Sequence, residues 1–401
     1  MSKPKIMTVY GTRPEAIKVA PVIKALEADD RFESIAVSTG QHKEMLEQVN
    51  SMFGITPAYD LGLMKPGQSL NEIVSRALAG LDEIIAEVEP DVIISQGDTS
   101  TAMTAAMAGF HRGVKIVHLE AGLRTGDIYS PFPEEANRKI IGQVASLHLA
   151  PTEGSLENLR MENFRSKDIV VTGNTVIDAL LEAASWDTTF TDPKLEAAAA
   201  SDKQMVVVTT HRRENLDAMK EIGGAVQDLA TAYPDIYFAL PLHLNPAVRL
   251  AVLPEVENLD NVIITDPLPY DQFTKLQGRA TIILTDSGGV QEEAPSLGKP
   301  VLVMRQNTER PEAVVSGTVK LVGTNRDLIV AEAKLLLDDE AAFEAMANAV
   351  NPYGDGKAAE RSVAAIAALL GLGERAENFS PGTEAEEERI PRFEEVVTSD
   401  V

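Results

Sequence analysis

At 401 residues, 44% of them hydrophobic, the chain is long enough for more than one buried core, and its formal net charge of −25 argues against general nucleic-acid binding, which needs a basic footprint. Every apolar run is broken by charge or glycine within about eight residues, short of the roughly 18 to 20 that a membrane helix requires, so no membrane partner is expected. The chain has no cysteine, which excludes disulfides and thiolate chemistry, and MSKPKIMTVYG lacks the three-region pattern of a signal peptide, so the cytoplasm is the expected location.

Short β-branched runs recur along the chain with helical patterns between them. A first series comprises 6–11 (IMTVYG), 35–40, 92–97, 116–122 (IVHLEAG), 147–151 and 169–174. A second comprises 205–211 (MVVVTTH), 236–243, 262–268, 281–289 (TIILTDSGG), 301–305 and 318–323. Continuous apolar runs bounded by turn residues suit strands buried on both faces of a parallel sheet, and two successive series read as two doubly wound α/β domains. Between them, 185–203 has no strong apolar period and reads as a linker. The helical pattern at 357–371 either closes the second domain or crosses back onto the first. Residues 374–401 carry nine acids and three bases with few apolar residues, the composition of a disordered tail.

In open α/β sheets, ligands bind outside the carboxyl ends of the strands, so the residues that follow each run are the functional candidates. After the first run, YGTRPEAIKVAP places Arg13 at a helix start with Lys18 one turn further, a position favourable to an anion. It is not a GxGxxG dinucleotide fingerprint. QGDTSTAM (96–103) offers Asp98, either an acid–base group or a helix cap. HLEAGLRTGDIYSPFPEEANR (118–138) places Glu120 at a strand end and Glu134 at a helix start, in a long glycine- and proline-rich connection of the kind that is usually functional.

In the second series, TTHRREN (209–215) groups His211, Arg212 and Arg213, and DPLPYDQF (266–273) offers Phe273 as an apolar platform. Arg310 precedes a proline-started helix in RQNTERPEA. In TDSGGVQEEAP (285–295), Ser287, Gly288 and Gly289 bring backbone N–H groups to a helix start, a fitting cradle for phosphate. The following glutamates suit a ribose diol, or they stabilise the helix start. No HExxH or other metal-ligand spacing occurs, so no metal site is expected.

Taken together, GTRPEAIKVAP, QHKEML, QGDTST, HLEAGLRTGDIYSPFPEEANR, TGNTVIDAL, THRREN, PLHLNP, LTDSGGVQEEAPSLGKPVLVMR, TERPEA and NPYGDG resemble the non-hydrolysing UDP-N-acetylglucosamine 2-epimerases, over residues 5 to 371. The resemblance implies an α/β chain with the GT-B fold, two Rossmann-like doubly wound domains facing a central cleft. It places residues 1–180 in the first domain, with helix 352–372 returning to it, 181–351 in a UDP-binding domain, and 373–401 in the tail. It implies Asp98, Glu120, Glu134 and His211 as catalytic groups and Arg13, Lys18, Phe273, Ser287, Gly288, Gly289, Glu293 and Arg310 as UDP contacts, with Glu293 on the ribose and Glu292 structural. Gln41 and His42 match a regulatory site, although Glu44 and Gly67 stand where regulated members carry glutamine and arginine. Leu268 replaces a glutamine found in some members.

The implied activity is interconversion of UDP-GlcNAc and UDP-ManNAc, without cofactor, by a cytoplasmic homodimer that supplies cell-envelope polysaccharide synthesis. The C2 proton of a hexose has no neighbouring carbonyl to acidify it, so cleavage of the C1–O bond must lead. Loss of UDP and of the C2 proton gives a 2-acetamidoglucal, and re-addition on the other face gives the epimer. Alternatives are a hydrolysing epimerase that releases ManNAc and UDP, and a GT-B glycosyltransferase using a UDP-sugar.

Overall fold

The computed structural model describes residues 2–40, 43–65 and 67–382, so the candidate regulatory pair Gln41 and His42 and most of the acidic tail lie outside the described residues. Every run marked above forms a strand. The first sheet contains β1 (Lys5–Tyr10), β2 (Glu33–Ser38), β3 (Tyr59–Asp60), β4 (Val92–Gln96), β5 (Lys115–Leu119), β6 (Leu147–Ala150) and β7 (Ile169–Val171), in the order β3-β2-β1-β4-β5-β6-β7. Two-residue β3 is an addition to the sequence reading. The second sheet contains β8 (Met205–Thr209), β9 (Tyr237–Pro241), β10 (Val262–Thr265), β11 (Ile282–Thr285), β12 (Val301–Val303) and β13 (Val319–Leu321), in the order β10-β9-β8-β11-β12-β13. All pairings are parallel.

Contacts divide the chain into two units. The first runs to Ser201 and includes Pro267–Arg279 and Tyr353–Phe379; the second comprises Asp202–Asp266 and Ala280–Pro352. In the first, Met7, Val9, Ile93 and Ile116 of the sheet pack against Leu81, Ile84 and Ile85 of helix Leu70–Val88 and the alanines of helix Ser100–His111. That second helix lies very close, because a Cβ on Gly109 would meet Ile93 and Ile116 side-chain carbons at 2.6 Å. In the second unit, Val206, Phe238, Leu284 and Leu302 bury against Met219, Ile222 and Val226 of helix Met219–Ala232 and Val248 and Val252 of helix Pro246–Val256. Central strands β4 and β8 are buried at every position, as continuous apolar runs require.

Three segments differ from the sequence reading. The expected linker carries helix Pro193–Ala199, capped by Asp192, and buried Phe190. Helix Tyr270–Arg279 holds it, with Lys275 donating to the Thr188 carbonyl at 2.6 Å and Arg279 to those of Ala199 (2.9 Å) and Ser201 (2.6 Å). By contacts, therefore, the division falls after residue 201, and Phe273 groups with the first unit rather than the second. The tail expected from 373 begins as an ordered segment. Phe379 is buried and donates its N–H to the Val171 carbonyl at 2.7 Å, while Asn378 accepts from the Val171 N–H at 3.1 Å, so one aromatic side chain anchors an acidic stretch along the edge of β7.

Helix Ala358–Leu369 packs on helices Arg13–Glu27 and Thr175–Ala184 of the first unit. Asp178 receives the N–H groups of Ala358 (3.2 Å) and Ala359 (2.8 Å) at its start, and burial pushes the Asp178 carboxyl up to about 6. Among the described residues, no helix is long and apolar enough to cross a membrane. In each sheet the strand order reverses direction at one point, between β1 and β4 and between β8 and β11, and the carboxyl edge there is the position where such sheets bind ligands.

Candidate functional site

At the first reversal point, the turn after β1 is fixed from below. Thr12 caps helix Arg13–Glu27, and Glu15 closes the capping box by accepting from the N–H groups of Gly11 (3.0 Å) and Thr12 (2.7 Å). The other Glu15 oxygen accepts from Thr99 Oγ1 at 2.5 Å, which ties this turn to the one after β4. Burial pushes the Glu15 carboxyl up, while its hydrogen bonds with Thr99, Gly11 and Thr12 oppose that rise. Gly11 is required by close approach, because a Cβ there would lie 2.1 Å from Thr39 Oγ1.

Glu120 follows β5 with φ of +64°, a left-handed conformation that costs a non-glycine residue roughly 1–3 kcal/mol and recurs at functional sites. Its side chain is only 7% exposed. One carboxylate oxygen accepts from Lys18 Nζ and from Asn174 Nδ2 (3.0 Å), and the other from Gln96 Nε2 (2.5 Å). Lys18, expected at the phosphates, is thus paired with Glu120. Two residues on, Gly122 has φ of +95°, and a Cβ there would lie 2.3 Å from the Ser155 carbonyl oxygen.

Asp98 is held by Arg138, whose Nε donates at 2.9 Å and whose Nη2 lies 2.6 Å from the same oxygen. Arg138 also pairs with fully buried Glu135 at 3.0 Å, and Asn137 donates to the Asp98 carbonyl at 2.8 Å. One turn of helix Glu134–Val144 therefore positions Asp98 from below. Glu134 opens that helix, and its Oε2 is buried without a hydrogen-bond partner. Behind the site, His118 Nε2 lies 2.8 Å from the Gly97 carbonyl, and burial lowers the His118 imidazole to about 3. The neutral ring is therefore the donor in that bond.

At the second reversal point, Asp286 is fully buried at the end of β11. It accepts from Thr210 Oγ1 (2.9 Å) and from the N–H groups of His211 (3.0 Å) and Arg212 (2.9 Å), with His211 Nδ1 at 3.1 Å. Burial opposes ionisation, but the His211 ring and these N–H groups outweigh it and hold the carboxyl below its ordinary value. With Nδ1–H directed at Asp286, Nε2 is the ring nitrogen left for a ligand, on a side chain 41% exposed.

Beyond Asp286, Ser287 precedes helix Gly288–Glu293. The space a Cβ would take on Gly288 is 3.6 Å from Arg212 Nη2 and 3.9 Å from Arg310 Nη2, so two guanidinium groups converge there. Arg212 Nε is buried without a hydrogen-bond partner, and Arg310 is braced by buried Glu292. Glu293 Oε1 lies 3.7 Å from the corresponding point on Gly289. In the second unit, His211 follows β8, Ser287, Gly288, Gly289 and Glu293 follow β11, and Arg310 follows β12; in the first, Arg13 and Lys18 stand on helix Arg13–Glu27, Asp98 and Glu120 follow β4 and β5, Glu134 opens helix Glu134–Val144, and Phe273 stands on helix Tyr270–Arg279.

Sequence reasoning did not select Glu15, Gln96, Arg138, Asn174 or Asp286 as site residues, and it grouped Arg212 with His211 without giving it a role. Each lies within a few residues of a strand's carboxyl end or on a helix facing one, and that position was the available signal.

The UDP-N-acetylglucosamine 2-epimerase family model matches residues 24–367. The UDP-N-acetylglucosamine 2-epimerase of Escherichia coli K12 is 51% identical over 372 residues, covering 90% of this chain and 98% of the relative. Among solved structures, a putative UDP-N-acetylglucosamine 2-epimerase from Listeria monocytogenes superposes with a TM-score of 0.89 at 43% identity, over 94% of this chain and all of that one. The UDP-GlcNAc 2-epimerase from Neisseria meningitidis bound to UDP-GlcNAc gives 0.81 at 43% identity, over 92% of this chain and all of that one. The fold class is accordingly GT-B, with two Rossmann-like units in one chain.

Proposed function

The chain belongs to the UDP-N-acetylglucosamine 2-epimerase family, and from that premise we propose that it interconverts UDP-GlcNAc and UDP-ManNAc without net hydrolysis. The observation that carries the reading is Glu120, a buried glutamate on strained backbone whose carboxylate receives hydrogen bonds from three side chains. A binding protein has no use for a buried carboxylate on strained backbone, held at both oxygens, whereas proton transfer at carbon needs one.

Departure of UDP from C1 develops negative charge on the β-phosphate. Preorganised donors aimed at that charge are the efficient stabilisers, and Arg212, Arg310 and the Ser287–Gly289 backbone are the groups suited to it. His211, kept in one tautomer by Asp286, presents Nε2 to the same leaving phosphate. The C2–H electrons then form the C1=C2 bond, a carboxylate takes the proton, and the products are UDP and a 2-acetamidoglucal. Proton return to the opposite face of C2 and return of UDP to C1 complete the epimerisation. Two faces require two acid–base positions, which Asp98, Glu120 and Glu134 can supply, each contributing about 10²- to 10⁴-fold. Arg13, Lys18 and Phe273 complete the UDP contacts, with Glu293 on the ribose.

The same reading makes the protein a cytoplasmic homodimer that supplies cell-envelope polysaccharide precursors. Product analysis tests it. UDP-GlcNAc should reach an equilibrium mixture containing UDP-ManNAc, whereas accumulation of free ManNAc and UDP would assign the hydrolysing reaction instead.

A further inference from the structure

Asn174 is the third residue of the TGNT turn after β7, at the N-cap position of helix Thr175–Ala184. Its Oδ1 serves as that cap, accepting from the Val176 N–H at 3.1 Å. Because the oxygen is committed, the NH2 end is the one that turns to Glu120, donating to Oε1 at 3.0 Å. The Asn174 backbone N–H donates to the Tyr353 carbonyl at 2.6 Å, and a Cβ on Gly354 would lie 3.5 Å from the Asn174 carbonyl oxygen. Serine or aspartate would cap the helix about as well as asparagine. Asparagine caps the helix and also presents an NH2 to Glu120, a group that neither serine nor aspartate has.

We propose that Asn174 is a positioning residue for Glu120: its amide, with that of Gln96 on the other oxygen, clamps the carboxylate in a single orientation and links that orientation to the Tyr353–Gly354 segment. The clamp rests on the acid–base reading of Glu120. Around the carboxylate stand Lys18 from helix Arg13–Glu27, Gln96 at the end of β4, Asn174 after β7, and neutral His118 on β5, the strand that Glu120 follows. Lys18 and the two amides donate to it. A carboxylate so surrounded is prevented from rotating away from a substrate proton.

Two substitutions separate this role from capping. Asn174→Ser retains the cap and removes the NH2. Asn174→Asp retains the cap and the size but sets a second carboxylate beside Glu120, which should raise the value at which the pair takes up a proton. Asn174→Ser should lower kcat by about 10-fold or more with KM and UDP affinity near wild type, as expected when a reacting group is misplaced. Asn174→Asp should lower kcat further and move the acid limb of the kcat profile upward by about one pH unit or more. Near-wild-type melting temperature for Asn174→Ser identifies its loss as positional, and if Asn174→Asp fails to fold, the serine variant decides. Wild-type kcat and pH profile in the folded variants would overturn the clamp. Glu120→Gln, measured alongside, separates the two ideas. If it stays active, the reading of Glu120 fails and the clamp with it; if it is inactive while the Asn174 variants behave as wild type, only the clamp fails.

Discussion

Nδ1 of His211 lies 3.1 Å from Oδ1 of Asp286, a carboxylate with no exposed surface. The pairing fixes which ring nitrogen is available, because the buried carboxylate accepts a hydrogen bond from Nδ1–H and leaves Nε2 for a ligand. Asp286 also collects the N–H groups of His211 and Arg212, so the direction of the ring and the course of the following chain share one anchor.

Replacing Asp286 with asparagine would set an NH2 against those donors and remove the charge that selects the tautomer. Asp286→Asn should lower kcat by about 10²- to 10⁴-fold. It should add little once His211 is already alanine, because the two act as a unit. A double-mutant cycle on kcat measures this; independent, multiplying losses would mean that Asp286 has a role apart from the ring.

Arg212 and Arg310 converge on the space above Gly288 from different chain segments. If they hold phosphate, Arg212→Met and Arg310→Met should each weaken UDP binding by about 10-fold or more, the value of a charge-assisted hydrogen bond, and leave uridine binding unchanged. Calorimetric titration with the two ligands makes the comparison. Equal losses for UDP and uridine would place these arginines away from the phosphates.

His118 and His148, Cα partners on β5 and β6, are both buried, and burial lowers their imidazoles from 6.5 to about 3 and about 4. A depressed histidine is neutral in the folded state, so the unfolded chain binds more protons below pH 6.5. Stability should therefore be full above pH 6.5 and fall as pH drops towards 4, with His148 contributing on the order of 3 kcal/mol over that window. Urea unfolding at pH 7 and pH 5 measures the slope. His148→Leu should flatten it, and an unchanged slope would remove His148 from the explanation.

The strands, their parallel pairing and the two-unit plan were legible because apolar runs bounded by turn residues have few other stable arrangements. Tyr59–Asp60 was not, because a two-residue strand has no period to detect. The candidate acid Glu120 was legible for a related reason: a glutamate at a strand end, followed by Ala121 and Gly122, has no packing role to explain it. Their partners were hidden, because Gln96 and Asn174 meet Glu120 only after β4, β5 and β7 align in one sheet. Composition misread residues 374–379 as part of a disordered tail, since it counts acids and cannot weigh one phenylalanine that finds an edge strand.

Hydrogen exchange at C2 of the sugar bears most directly on the proposed chemistry. Incubated with UDP-GlcNAc in deuterated water, the enzyme should place deuterium at C2 of the UDP-ManNAc formed and, as the reaction reverses, of the UDP-GlcNAc remaining. Formation of UDP-ManNAc with protium retained at C2, or recovery of unexchanged and unconverted UDP-GlcNAc, would contradict it.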